Sequence, residues 1–171
     1  MFFHDYPIQC MEFNYTDEML ASVDTKGIFN IWNLKNGKLL RKIDKETSLN
    51  AICWGIEPSH LVVGYKEELK LYGIRSCNVL KQYKCSNSEY ISTIFVSETH
   101  LYSVANNGTI SVFNYSTSEL LFTFEAKQNV VSCFRIYDDN ITWQFSKFYV
   151  CFKKKIIEFD QFAMEGKFYT V

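Results

Sequence analysis

Two histidines stand in matching frames, Ser59-His60-Leu61 and Thr99-His100-Leu101, and paired histidines are a common beginning of a metal site. Each falls at a turn leading into an apolar run, one repeat period apart, so the two belong to neighbouring repeats and do not face one another. They are expected to be exposed turn residues, and His4 to lie in a mobile N-terminus. Six cysteines (Cys10, Cys53, Cys77, Cys85, Cys133, Cys151) could pair or ligate metal, yet no Cys-x-x-Cys occurs, and three of them fall in or beside strands expected to be buried. Free, reduced core thiols are the better reading. No Gly-rich phosphate loop, Gly-x-Ser-x-Gly elbow or His-Glu-x-x-His is present, so no catalysis, cofactor or structural metal is expected.

Lys153-Lys-Lys155 is the one basic run, read as a solvated hairpin tip in preference to a phosphoinositide contact, since Arg41, Arg75 and Arg135 are isolated. Lys+Arg 18 against Asp+Glu 19 gives no net field to favour nucleic acid. The ending Tyr169-Thr-Val171 fits a carboxylate-capture pattern but reads better as an outer strand. Asn14, Asn107, Asn114 and Asn140 head glycosylation triplets that would matter only in a secreted chain. The start, Met1-Phe-Phe-His-Asp-Tyr-Pro7, lacks a basic region and an apolar core, so no signal peptide is expected, and no apolar stretch approaches the roughly 20 residues of a spanning helix. A soluble, cytoplasmic chain follows as the expectation, with the nucleus as an alternative.

The elements that position these residues repeat. Ile28-Phe-Asn-Ile-Trp32, Leu69-Lys-Leu-Tyr72 and Ile110-Ser-Val-Phe113 each close an alternating strand with an aromatic, at spacings of 40 and 41 residues. Around each aromatic the pattern supplies four short strands: Ile8–Phe13, Leu20–Val23, Ile28–Trp32 and Leu39–Ile43 in the first repeat, with Asn36-Gly37 as a hairpin signal. The repeats run about 7–44, 48–84, 90–125 and 130–171. In the fourth, Ile141-Thr-Trp143 reads as the second strand, Ser146 to Lys155 as an insertion and Ile156–Phe159 as the third strand. The fold class expected is an all-β propeller of about four four-stranded antiparallel blades in one segment, 1–171, with Trp32, Tyr72 and Phe113 wedged between sheets.

The pattern x-Ile-x-Ile-Trp-Asn between a Gly-containing turn and an apolar strand resembles WD repeats, with Trp32-Asn33 and Phe113-Asn114 at the Trp-Asp position, Phe159-Asp160 keeping the Asp and Tyr72-Gly73 lacking it. No Gly-His dipeptide precedes any repeat, so the family's buried His, Ser and Asp network is not expected in its usual form. The resemblance implies that strand a of each blade lines a channel and that loops dock other proteins. Gln9, Asn50, Ser92 and Ser132, second in each strand a, and Lys26, Lys66 and Asn107, in the turns between strands b and c, are expected on one rim and form the candidate partner-binding set.

The function expected is a non-catalytic protein-interaction scaffold, with a phosphoinositide-reading trafficking propeller as the alternative; no nucleic acid and no membrane contact are expected. Because WD propellers close with more blades, an open arc is expected whose end sheets expose Phe13, Trp32, Phe134 and Phe159. Such an arc would pair with itself or another blade-bearing protein, or be a piece of a longer propeller.

Overall fold

The computed structural model describes residues 3–44, 49–85, 89–138, 141–153, 155–160 and 166–170. Both faces of each inner sheet are covered, which explains why the middle strands read as almost continuous apolar runs. The first sheet holds β1 (Ile8–Phe13), β2 (Met19–Asp24), β3 (Ile28–Asn33) and β4 (Leu39–Asp44). The second holds β5 (Ala51–Trp54), β6 (His60–Gly64), β7 (Glu68–Gly73) and β8 (Asn78–Lys84). The third holds β9 (Ile91–Val96), β10 (His100–Ala105), β11 (Thr109–Asn114) and β12 (Leu120–Glu125). The fourth holds β13 (Val130–Asp138), β14 (Ile141–Phe152), β15 (Lys155–Asp160) and β16 (Gly166–Thr170). Strands pair in chain order and antiparallel in every sheet, and the sheets stand as propeller blades around a channel. Among the described residues no helix is long and apolar enough to cross a membrane.

The register repeats as well as the strands. Leu20 pairs with Trp32, Leu61 with Tyr72, Leu101 with Phe113 and Phe148 with Phe159. In the first three blades the ladder to the outer strand shifts just before that aromatic. A shift of this kind sharpens the local twist and turns the ring into the wedge between blades.

Three apolar clusters join the blades. Phe29 and Ile31 pack on Leu61 and Tyr72, Leu69 and Leu71 on Leu101 and Phe113, and Ile110 and Val112 on Phe148 and Phe159. Phe29 meets Tyr72 edge-on at 5.4 Å, and Phe148 stacks between Phe95 at 4.6 Å and Phe159 at 4.8 Å. Among the described residues, no cluster of this kind bridges the fourth blade to the first.

The end sheets differ from expectation. Phe13 is exposed, as anticipated, but Trp32 and Phe159 are buried. Each repeat aromatic faces the preceding blade, so Phe159 is covered by the third blade, while Trp32, with no preceding blade in this chain, lies under residues of the N-terminal segment. The side chain of Phe134 lies outside the described residues.

The outward face of the fourth blade carries a polar cluster. Glu158 occupies the position held by Ile31, Leu71 and Val112, and there accepts hydrogen bonds from Lys147 Nζ at 2.9 Å and Tyr149 Oη at 2.8 Å. In this blade the second strand also departs from the sequence reading. β14 runs unbroken to Phe152, and it is Lys147–Phe152 that pairs with β15. Ile141-Thr-Trp143 mimics a strand because it is one, but it extends the hairpin beyond the part that matches the other blades.

Candidate docking rim

Pairing places the start of each innermost strand beside the end of the second: Ile8 opposite Asp24, Ala51 opposite Gly64, Ile91 opposite Ala105 and Val130 opposite Phe152. The turns after Asp24, Gly64, Ala105 and Phe152 therefore share one rim with those starts. Lys153 stands in the fourth such turn, equivalent to the turns carrying Lys26, Lys66 and Asn107. The sequence pattern sets the triple lysine apart from that series, because it ends the second strand of the fourth blade at Trp143, whereas β14 runs to Phe152. Lys154 lies outside the described residues.

Local geometry fixes these turns. Gly27 and Gly108 adopt φ of +81° and +83°, the left-handed region where a Cβ is unfavourable. At Gly108 an added Cβ would also collide with the Gln128 carbonyl. Asp24 Oδ1 accepts from the backbone N–H of Lys26 at 2.9 Å and of Ile28 at 3.1 Å, and Asn107 Oδ1 accepts from Thr109 N–H at 3.0 Å.

The seven rim residues are not equivalent. Gln9 Nε2 donates to Asn50 Oδ1 at 2.6 Å, which joins the first two blades across the mouth. Ser92 Oγ donates to the Val104 carbonyl at 2.9 Å, so its hydroxyl proton is spent within its own blade. Ser132 is exposed. Lys26 Nζ sits 5.5 Å from the centre of the Tyr6 ring and Lys66 Nζ 5.9 Å from that of Tyr90. Tyr6 and Tyr90 were not singled out from sequence; the one available signal is an aromatic one or two residues ahead of the innermost strand.

Below the mouth, the innermost strands of all four blades line a cavity of about 280 Å3, with Cys10, Glu12, Asn50, Ser92, Thr93 and Cys133 among its walls. All six cysteines are free. Burial pushes the Cys10 thiol, also beside Glu12, to about 12, the Cys133 thiol to about 12 and the Cys85 thiol to about 11, from an ordinary 9.0. At pH 8 these thiols should alkylate roughly a hundredfold or more slowly than a free cysteine, because the thiolate is the nucleophile. Timed iodoacetamide labelling read by mass spectrometry checks this. The raised values mean that the folded state holds these protons more tightly than the unfolded chain. The stability they contribute is intact below pH 9 and lost as pH climbs from 9 towards 12.

His60 and His100 open β6 and β10 and are half-buried rather than exposed. Burial lowers both their proton affinities, and His60 Nδ1 is buried without a hydrogen-bond partner among the described residues. The turn before each second strand is closed by backbone hydrogen bonds, from Gly55 N–H to the His60 carbonyl and from Ser97 N–H to the His100 carbonyl, both at 2.9 Å. Among the described residues no group of three or more His, Cys, Asp or Glu could hold a metal ion.

The largest departure is His4. Its side chain is 2% exposed and lies against the first blade. Trp32 Nε1 donates to Ser22 Oγ at 2.8 Å, Ser22 Oγ lies 2.7 Å from His4 Nε2, and His4 Nδ1 lies 3.0 Å from Asp24 Oδ2. One proton order satisfies all four groups: Trp32 donates to Ser22, Ser22 to His4, and His4 to Asp24. The buried network thought unavailable is therefore assembled in the first blade. Phe3-His4 takes the place of Gly-His, so the dipeptide signature is missing while its histidine is present. In the second blade the corresponding contact is Tyr65 Oη to Tyr72 Oη at 2.7 Å, and in the third Cys85 Sγ lies 3.8 Å from Ser103 Oγ.

Four antiparallel blades, with the aromatics of the last three turned to the preceding blade, define a WD-type propeller fold. The fold is similar to that of U3-55K, with TM-score 0.80 and 14% identity over 99% of this chain and 53% of that one. It is equally similar to the WD40 repeats of RRP9, with TM-score 0.80 and 14% identity over 99% of this chain and 52% of that one. The chain thus spans about half the length of these solved structures. No protein-family model matches the sequence, and no curated protein does.

Proposed function

We propose that this chain is a non-catalytic scaffold that docks an acidic segment of another protein across the channel mouth. The observation that carries the reading is the pair of lysine-over-tyrosine contacts, Lys26 on Tyr6 and Lys66 on Tyr90, at equivalent turns of successive blades. An exposed cation held over an aromatic is preorganised for a carboxylate and offers the ring to its neighbours. Loops set on a rigid scaffold are a usual place for recognition. Six free thiols, in the first, second and fourth blades and in the link between the second and third, support a reducing, cytoplasmic setting within the same proposal.

The test is affinity capture from cell extract with the intact chain and with Lys26→Glu/Lys66→Glu. Specific partners should fall at least tenfold with the double variant, as charge reversal at a recognition surface opposes encounter. An unchanged partner set would remove the rim from the reading. A second reading, anionic head-group binding, is favoured by Lys153 standing in the same series of turns as Lys26 and Lys66. Flotation with phosphoinositide vesicles, lost on replacing Lys153 and Lys155 by alanine, would establish it over the first.

A further inference from the structure

The innermost strand of the first blade leaves two large apolar side chains in solvent, Met11 at 62% and Phe13 at 55% exposure. Register identifies their counterparts. Phe13 pairs with Leu20 as Trp54 does with Leu61 and Val96 with Leu101, and Met11 pairs with Ser22 as Ile52 does with Val63 and Ile94 with Ser103. Those four counterparts are only 3% to 8% exposed. What differs is the blade that stands before them. Ile52 and Trp54 share a cluster with Ala21 and Val23 on the back of the first blade, and Ile94 and Val96 share one with Ala51, Cys53 and Val62 on the back of the second. No cluster among the described residues sets a blade before Met11 and Phe13.

The covered junctions say what fits. In both, large side chains on the front of an innermost strand meet small apolar ones, alanine, cysteine and valine, on the first two strands of the blade before it, which is how close packing is reached. A second copy of this chain does not supply such a surface. Its fourth blade carries Tyr149 where the first two blades have Ala21 and Val62, and Glu158 where they have Ile31 and Leu71, the phenol donating to the carboxylate at 2.8 Å. Covering that pair with Phe13 would strip a charge of its water. Its first blade would set Met11 and Phe13 against their own bulky equivalents. We propose that Met11 and Phe13 receive the back of a propeller blade from a different protein, one with small apolar residues on its first two strands. Met11 also borders the channel, so a blade seated there continues the channel wall. The proposal does not rest on the rim reading.

The experiment places a photoreactive benzoyl group on the ring at position 13 of the intact chain, irradiates the cells that make it and sequences the adducted peptide. One dominant adduct is expected, on a small apolar residue at the back of a blade in another protein. Met11→Glu should lower its yield at least about tenfold, as a charge set against an apolar surface opposes docking. The purified chain should be monomeric by light scattering. Because both side chains are exposed, Met11→Glu and Phe13→Glu should each leave the unfolding midpoint within about 2 °C of the parent, whereas Ile52→Glu, at the covered equivalent of Met11, should lower it several times further. Absence of an adduct, an adduct on a second copy or on a surface other than the back of a blade, or an adduct that survives Met11→Glu overturns the proposal. So does a dimer that Met11→Glu abolishes. A larger fall in midpoint for either exposed variant overturns it as well, since the face would then be covered within the chain.

Discussion

Phe148→Ala is expected to lower the unfolding midpoint by roughly 8–16 °C, which corresponds to about 4 kcal/mol for a chain of this length. The ring is fully buried and stacked between Phe95 and Phe159, so its removal leaves a cavity at the centre of the contact between the third and fourth blades. Both neighbours are held in separate sheets, which limits collapse into the space. In a repeat array each unit leans on its neighbour, and weakening one junction uncouples what lies beyond it. Amide exchange should therefore accelerate first in β13–β16 while β1–β8 keep their protection. A midpoint change under about 3 °C, or uniform loss of protection, would contradict this account.

His4→Ala should cost about 3 kcal/mol, or roughly 6–12 °C. The substitution removes no strand. It leaves the Asp24 carboxylate and the Ser22 hydroxyl without their partner beneath the N-terminal segment, and it removes the ring that meets Trp32 edge-on at 6.1 Å. Trp32→Phe, which removes the indole donor to Ser22 and part of a buried ring, should cost about 2 kcal/mol. Thermal melts of the two variants separate a buried network from a loosely draped tail, since a His4→Ala protein within about 2 °C of the parent would show that the contact contributes nothing.

The blades were legible because they are repeated. Trp32, Tyr72 and Phe113 keep one register, and any strand carrying such an aromatic announces where its neighbours must lie. What was not legible depended on partners that do not repeat. His4 has no matching signature ahead of the later blades, and Phe3 stands where a glycine would have marked it. In the fourth blade, Ile141-Thr-Trp143 satisfied the local strand pattern, and nothing local distinguishes a hairpin's extension from its paired body. The rim residues were placed by topology alone. Whether a given side chain there is spent inside its blade, like Ser92, or tied across the mouth, like Gln9, depends on distances that no spacing encodes.

Glu158 carries a consequence for how such a chain can be rearranged. Blades with Ile31, Leu71 or Val112 at that position present apolar flanks, so any of them can precede another blade. Moved to an interior place by circular permutation or by duplication of its segment, the fourth blade would press the Glu158–Lys147 pair against an apolar neighbour and dehydrate both charges. The blades are thus ordered parts rather than interchangeable tiles, and permuted chains should tolerate a shuffled order only when Glu158 is first made apolar.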